Sequence, residues 1–380
     1  MNSPIRTGQS TAADPAAAVG EFFEAVRQPD MALVCFFCSS QYDLDAVAAG
    51  INRLFPQTMV IGCTTAGEIG PAGYREHSIA GFSLPRGSCA AVADRHGPLQ
   101  SFDFAVGQAF AHRLADRLDG LAPGVDSRFA LLLVDGLSMR EEPVAQAFQA
   151  GLGLVPLVGG SAGDDARFER TWVFHDGAFH GDSAVLAVVS TQLPMRTFMA
   201  QHFVCGEERL VVTAADPATR NIAEINGRPA VQEYARLVGT DAAHLDAAAF
   251  AAAPLLVVLG GNQYVRAIQK ANPDGSLTLF SAIEEGVVLR IGRPTGLARN
   301  LAEQLGTLER EIGRPQLVIA CDCVLRNREA AATGEKAEVA ALLRNHRAVG
   351  FSTYGEQYQG IHVNQTLTGI AVGTAEAANV

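Results

Sequence analysis

The sequence is short of the features that mark membrane, secreted and nucleic-acid-binding proteins. No apolar run approaches the roughly 18 residues of a membrane-spanning helix, and the first residues lack the basic stretch and apolar core of a secretory signal. An odd number of cysteines, seven, predicts reduced thiols and a cytoplasmic location. With a net charge of −11 and no lysine- or arginine-rich run, we expect neither a nucleic-acid partner nor insertion into a membrane.

Motifs of common enzyme and cofactor classes are also missing or misplaced. The phosphate-binding G-x-x-x-x-G-K-[ST] and the haem-attaching C-x-x-C-H do not occur, and no G-x-G-x-x-G lies at a strand–helix junction. Gly159–Gly163 reads G-x-S-x-G, but the residues after it predict a loop and a strand rather than the helix that a nucleophile elbow needs. We therefore expect no enzyme, and a hydrolase using Ser161 or Cys63 is the least favoured alternative.

The chain instead contains a repeated pattern of buried strand, helix and second strand. Hydrophobic residues make up 48% of it, which is enough for a large core. The first strands of the three copies are continuous apolar runs of strand length: Ala32–Cys38, Phe129–Val134 and Leu317–Cys323. The helices that follow them are Leu44–Leu54, Glu142–Leu152 and Glu335–Asn345.

Each copy closes on the same signature, which is an apolar residue, Gly, any residue, Thr or Ser, and then a second Gly followed by an acid. The three copies are Gly62/Thr64/Gly67/Glu68, Gly159/Ser161/Gly163/Asp164 and Gly350/Ser352/Gly355/Glu356. Asp-Gly turns between apolar runs add hairpins. We predict an α/β fold of two related domains with mixed sheets flanked by helices and internally repeated strand–helix–strand units. The predicted divisions are a leader and helix over 1–29, a first domain over 30–204 and a second over 205–380.

Four blocks of this sequence resemble the FIST family, which has an N-terminal and a C-terminal FIST domain. They are Val60–Ile69 (VIGCTTAGEI), Val158–Asp165 (VGGSAGDD), Ile225–Tyr234 (INGRPAVQEY) and Val349–Thr366 (VGFSTYGEQYQGIHVNQT). The resemblance implies a bacterial sensory protein that binds a small ligand.

Three further blocks resemble the nitric-oxide-sensing FIST subgroup called NosP. They are Phe168–Gly177, Gln201–Phe203 and Cys321–Arg326. This resemblance implies a haem cofactor and signalling to a histidine kinase or a cyclic-di-GMP enzyme. His202 and His362 are the candidate axial ligands, with a slight preference for His202, and Arg326 is a candidate partner for a haem propionate. A hydrogen-bonded core histidine is the alternative at either position.

The last block is rich in hydrogen-bonding side chains near the end of a predicted strand. We assign Ser352, Tyr354, Glu356, Gln357 and Asn364 as candidate ligand-binding residues, because α/β sheets bind ligands at strand ends. A tight, solvated hairpin is the alternative. A FIST protein that senses a small polar metabolite, such as an amino acid, without haem is the second functional hypothesis. Cys35, Cys38, Cys321 and Cys323 could form a zinc site, but their strand spacing favours buried small hydrophobic side chains.

Overall fold

The computed structural model describes residues 5–374, and these form three copies of one unit. Each unit contains strand, helix, strand, helix, strand, a short hairpin and a final strand. The first unit comprises β1 (Arg6–Ser10), α1 (Pro15–Val26), β2 (Met31–Ser39), α2 (Leu44–Leu54), β3 (Val60–Thr65), β4 (Glu68–Gly70), β5 (Gly73–Arg75) and β6 (Ile79–Pro85). The second comprises β7 (Cys89–His96), α3 (Phe104–Leu121), β8 (Arg128–Val134), α4 (Glu141–Leu152), β9 (Leu157–Ser161), β10 (Val173–His175), β11 (Ala178–His180) and β12 (Ala184–Thr191).

The third unit has the same order but is interrupted after its first strand by a separate sheet. Its first strand is β13 (Met195–Ala200). The interrupting segment comprises β14 (Phe203–Cys205), β15 (Leu210–Asp216), β16 (Asn221–Ile225), β17 (Arg228–Pro229), α5 (Ala230–Val238), α6 (Ala247–Ala252), β18 (Leu255–Leu259), β19 (Asn262–Arg266), β20 (Ile268–Ala271), β21 (Leu277–Leu279) and β22 (Val288–Pro294). The unit then continues with α7 (Leu297–Ile312), β23 (Leu317–Cys323), α8 (Val324–Ala332), α9 (Lys336–Asn345), β24 (Ala348–Thr353), β25 (Glu356–Tyr358), β26 (Ile361–Val363) and β27 (Leu367–Val372).

The short hairpin of each unit joins the sheet of a different unit. The three six-stranded sheets have the orders β1-β6-β2-β3-β10-β11, β7-β12-β8-β9-β25-β26 and β13-β27-β23-β24-β4-β5. In each sheet the two central strands are parallel and the donated hairpin pairs antiparallel to the second of them. The three units therefore form one closed, mutually completed core, and apolar side chains from all three sheets pack together at its centre.

Local sequence signals explain most of the elements. Asp14 caps α1 by accepting the Ala17 N–H at 2.8 Å, and Pro15 occupies the first helical position, as predicted. The hairpin β10–β11 turns at Asp176 and Gly177, whose φ angles are 51° and 78°, as a two-residue turn of positive φ requires. The mixed α/β class and the repeated units predicted from the sequence are confirmed.

Two local predictions were wrong. Residues 1–13, expected as a loose leader, include β1, which pairs along its length with β6. The Ala-rich composition of residues 241–253 predicts one helix, but the segment is divided into a single 3₁₀ turn and α6, because Asp246 is extended and caps α6 by accepting the Ala249 N–H at 2.8 Å. Among residues 5–374, no helix is long and apolar enough to cross a membrane.

Candidate functional site

The closing block lies inside the protein, between the second and third units. The hairpin β25–β26 pairs with β9, so that Gln357 is opposite Gly159 on one side and His362 on the other. The Ser161 N–H donates to the Gly355 carbonyl at 2.8 Å, which fixes the end of β9 against the hairpin. The alternative of a solvated hairpin is therefore wrong, and the five candidate ligand-binding side chains of this block are buried.

Four side chains at this junction form a buried polar cluster: Ser161, Gln357, His362 and Asn364, here called the Gln357 cluster. Gln357 Nε2 donates to Ser161 Oγ at 2.9 Å and lies 3.3 Å from His362 Nδ1. Within residues 5–374, four polar atoms of this cluster have no hydrogen-bond partner: Gln357 Oε1, His362 Nε2, Asn364 Nδ2 and Asn364 Oδ1. Because buried polar groups are rarely left unpaired, these atoms require a bound water or a ligand.

Charged groups surround the cluster. Arg220 Nη2 binds Glu141 and Glu142 on α4 at 2.7 and 2.6 Å. Burial lowers the pKa of His362 to about 4. Glu142 opposes this decrease, whereas repulsion from Arg220 and Arg266 adds to it. The His362 imidazole is therefore neutral at neutral pH. Arg266, whose Nη1 lies 3.4 Å from the His362 carbonyl, forms no ion pair with any described residue.

Three other predicted ligand-binding residues are already engaged in the fold. Glu356 accepts from the Thr353 hydroxyl through one oxygen and from the Thr366 N–H and hydroxyl, at 3.2 and 2.7 Å, through the other. Tyr354 donates its hydroxyl to Asp164, and Ser352 Oγ accepts from Asn327 at 3.2 Å. Of the five, only Gln357 and Asn364 present unpartnered polar atoms.

His202 lies in a different part of the protein, in a buried chain of polar side chains. Its Nε2 is 2.7 Å from Glu329 Oε1, and its Nδ1 is 3.2 Å from Arg326 Nη1. Since a guanidinium can only donate, His202 Nδ1 must accept a hydrogen bond from Arg326. The ring proton is therefore on Nε2, which donates a hydrogen bond to Glu329 Oε1. Arg326 is buried and binds Asp322 at 2.8 Å, and Asp322 in turn accepts from Tyr74.

This arrangement does not fit a haem iron at His202. An axial histidine needs a free lone pair on a ring nitrogen, commonly with the other N–H donated to an acceptor. Here the lone pair of His202 faces Arg326 and the Nε2 proton is donated to Glu329. Arg326 points into the protein toward Asp322 and is not placed to hold a propionate. The haem role of His202 stays a prediction that this geometry does not favour.

His362 also accepts at Nδ1, and its ring is covered. A Cβ placed on Gly355 would lie 2.3 Å from His362 Cε1 and 2.8 Å from Nε2, so the Gly355 backbone packs directly on this edge of the ring. Because the Gln357 amide nitrogen can only donate, His362 Nδ1 accepts and the proton of the neutral ring is on Nε2, so this nitrogen is an unpartnered donor rather than a metal ligand. Haem at His362 would require this proton to move to Nδ1 and β25 to move away from the ring.

The minor alternatives from the sequence receive no geometric support within residues 5–374. Cys35, Cys63 and Cys321 lie buried in the core where the sheets meet, and burial raises the pKa of each thiol. No group of three or more His, Cys, Asp or Glu side chains in this range is arranged to hold a metal ion. Ser161 is followed by loop and β10 rather than by a helix, unlike a nucleophile elbow.

Sequence reasoning missed two residues of these sites. Ser161 was interpreted only as a turn residue or nucleophile, although it is a partner of Gln357. Glu329, which holds His202 across more than 120 residues of chain, lies on α8, an element that was not predicted. The signal that could have identified Ser161 is its equivalence to Thr64 and Ser352 at the end of a central strand.

Comparison with known protein families agrees with this architecture. The FIST N domain matches residues 32–228, and the FIST C domain matches residues 230–359. A comparison with curated proteins gave no match. The division between domains near residue 205 stays a prediction. Because the two matches cover most of the chain, it belongs to the FIST family, whose domains are sensory, ligand-binding domains of signalling proteins rather than catalytic ones.

Proposed function

We propose that this protein is a sensor of a small polar molecule, which it binds at the Gln357 cluster. The observation that carries the proposal is the set of four buried polar atoms without a protein partner on Gln357, His362 and Asn364. Leaving such atoms unpaired costs about 1–3 kcal/mol each, and a ligand that pairs them recovers that free energy on binding.

The chemistry of the cluster favours a ligand with both donors and acceptors. Asn364 supplies an amide donor and an amide acceptor, and Gln357 supplies a free carbonyl oxygen. Arg266, without an acidic partner among the described residues, is the nearby cation that suits a carboxylate. An α-amino acid, with one carboxylate and one ammonium, matches this set.

The test is thermal-shift and calorimetric screening of the full chain against the twenty amino acids. We expect at least one of them to stabilise the wild type and to lose its effect in Asn364→Leu, which removes both free amide atoms at similar volume. Asn300→Leu, which removes an amide with an unpartnered Oδ1 on α7, is the matched control and should retain the response. No stabilisation by any amino acid, or equal stabilisation of Asn364→Leu, would contradict the proposal.

Haem binding with a response to nitric oxide is the second candidate, and signalling to a histidine kinase or a cyclic-di-GMP enzyme would follow from it. The resemblance to the NosP subgroup supports it, although neither His202 nor His362 presents a free ring lone pair. When bound, haem would supply the iron that takes up the gas. For haem to bind at His362, the ring proton would have to move from Nε2 to Nδ1, and β25 would have to move away from the ring.

An absorption spectrum decides between the two candidates. Haem added to the purified chain should give a stoichiometric Soret band that shifts with nitric oxide, that is lost in His362→Ala and that persists in His202→Ala. A chain that takes up no haem, or one that loses the band only in His202→Ala, would count against haem at His362.

A further inference from the structure

A cavity lies in the C-terminal part of the chain, and its lining includes none of the four residues of the Gln357 cluster. It has a volume of about 540 Å³ and lies between α6, α8 and the start of α7. Its walls are mostly small apolar side chains: Ala248, Ala251, Ala252, Leu297, Leu325 and Ala332. A cavity of this size with apolar walls accommodates a small organic molecule and favours an apolar body.

Glu329 contributes a carboxylate to the wall of this cavity, and one oxygen of that carboxylate is buried without a partner among residues 5–374. Glu329 lines the cavity, its Oε1 accepts from His202 at 2.7 Å, and its Oε2 is buried with no hydrogen-bond partner among residues 5–374. An ionised carboxylate only accepts hydrogen bonds. The missing partner must therefore be a donor, and a positively charged donor offsets best the cost of a buried charge.

The other polar groups of the cavity also favour a positively charged ligand. Glu335 is also a carboxylate, but both its oxygens are engaged, with the Ala298 N–H at 3.2 Å and the Thr333 hydroxyl at 2.8 Å. Arg328, the one basic residue of the lining, is exposed. The His202 ring behind Glu329 accepts from Arg326 at Nδ1 and donates one N–H to Glu329 Oε1. The buried part of the cavity is thus negative.

We propose that this cavity is a second ligand site, which takes a small organic amine with an apolar body and binds its ammonium at the Glu329 carboxylate, whose side chain turns its buried Oε2 toward the cavity on binding. Glu329 then bridges the ammonium and the His202 N–H. From His202 the chain of contacts continues through Arg326 and Asp322 to Tyr74 on β5, the hairpin that the first unit donates. Occupancy of the cavity is thereby connected to the contact between the first and third units.

The experiment uses three probes of nearly equal size with the full chain: phenethylamine, 2-phenylethanol and phenylacetate. Isothermal titration should show the tightest binding for the amine, weaker binding for the alcohol and none for the anion. Equal affinity for all three, or the tightest binding for phenylacetate, would overturn the proposal.

Glu329→Gln tests the acceptor itself. The new amide can still accept from His202 through its oxygen, but it puts an NH₂ donor in place of the unpartnered oxygen and removes the negative charge. Phenethylamine affinity should fall at least tenfold, whereas Glu303→Gln, an equal change of charge on α7 outside the cavity lining, should leave it unchanged. Unchanged affinity in Glu329→Gln would sink the proposal.

A second variant keeps the test decisive if Glu329→Gln unfolds. Ala251→Leu fills the cavity from α6 without touching the carboxylate, and we expect it to abolish binding of both the amine and the alcohol. Retained binding of the amine would show that it sits elsewhere. Asn364→Leu should bind phenethylamine normally, so failure of this proposal is distinguishable from failure of the amino-acid site.

Discussion

Two buried glutamates, Glu68 in the first unit and Glu356 in the third, occupy equivalent positions and make the same contacts. Each bonds through one oxygen to the threonine three residues before it, Thr65 or Thr353. Each accepts through the other oxygen from the N–H and hydroxyl of the residue ten positions after it. These distances are 3.2 and 2.6 Å to Ser78, and 3.2 and 2.7 Å to Thr366.

The difference between the two copies lies in the hairpin that follows each glutamate. Where the third unit has Gln357 and His362, the first has Ile69 and Tyr74. Ile69 is fully buried among apolar residues, and the Tyr74 hydroxyl donates to Asp322. The first hairpin therefore satisfies its own polar groups, whereas the third leaves four polar atoms free. The glutamate contacts that the two copies share stabilise the fold, and the hairpin residues that differ between them mark the candidate binding site.

Removing either glutamate side chain is the strongest test of this equivalence. Glu68→Ala and Glu356→Ala each leave two hydroxyls and an N–H without a partner and open a cavity. The free energy of unfolding should fall by about 3 kcal/mol or more in both variants. Urea denaturation measures the loss, and Glu76→Ala, at an exposed position beside the first hairpin, should change stability by less than about 0.5 kcal/mol. A large loss at only one glutamate would contradict the comparison.

The pH dependence of stability tests the same pair of glutamates without removing either side chain. Burial raises the pKa of both Glu68 and Glu356 from 4.5 to about 8, although hydrogen bonds from neighbouring hydroxyls act in the opposite direction. The folded state therefore holds protons that the unfolded chain releases. Between about pH 4.5 and 8, stability should fall as pH rises, by up to about 1.4 kcal/mol per pH unit for each carboxyl.

Glutamine resembles the protonated acid and does not ionise, so Glu68→Gln and Glu356→Gln should each reduce this slope. Chemical denaturation at pH 5, 6, 7 and 8 measures it. The two variants should reduce the slope by similar amounts. An unchanged slope in both would show that the carboxyls are ionised in the folded protein.

The smallest effect on stability is expected from giving the third unit a residue of the first. Gln357→Ile places in the hairpin of the third unit the residue type found at position 69. The substitution removes one unpartnered carbonyl oxygen, but it also removes the hydrogen bond to Ser161. Unfolding free energy should change by no more than about 1 kcal/mol, because removal of the unpaired oxygen offsets the loss of the contacts to Ser161 and His362. Stabilisation by the amino-acid ligand should disappear, as measured by thermal shift. A variant that still responds to the ligand would remove Gln357 from the site.

The repeated strand and helix pattern could be predicted because each element carries its own signal. Apolar runs gave the central strands, and the Gly–hydroxyl–Gly–acid signature gave the three strand ends. The exchange of hairpins could not be predicted, since nothing local in Gln357–His362 specifies pairing with β9 rather than with its own sheet. For the same reason the block could not be recognised as buried. The partners of His202 were hidden as well, because Arg326 and Glu329 meet it only through the packing of α8.

The exchange of hairpins also restricts the order in which the three six-stranded sheets can be completed during synthesis. The sheet of the first unit needs nothing beyond β11, which ends at His180. The sheet of the second unit must wait for β25 and β26, whose last residue is Val363. Until then the edge of β9 is open on the ribosome, and an open strand edge invites pairing with other chains. A nascent chain stopped between these two points is the species most in need of a chaperone.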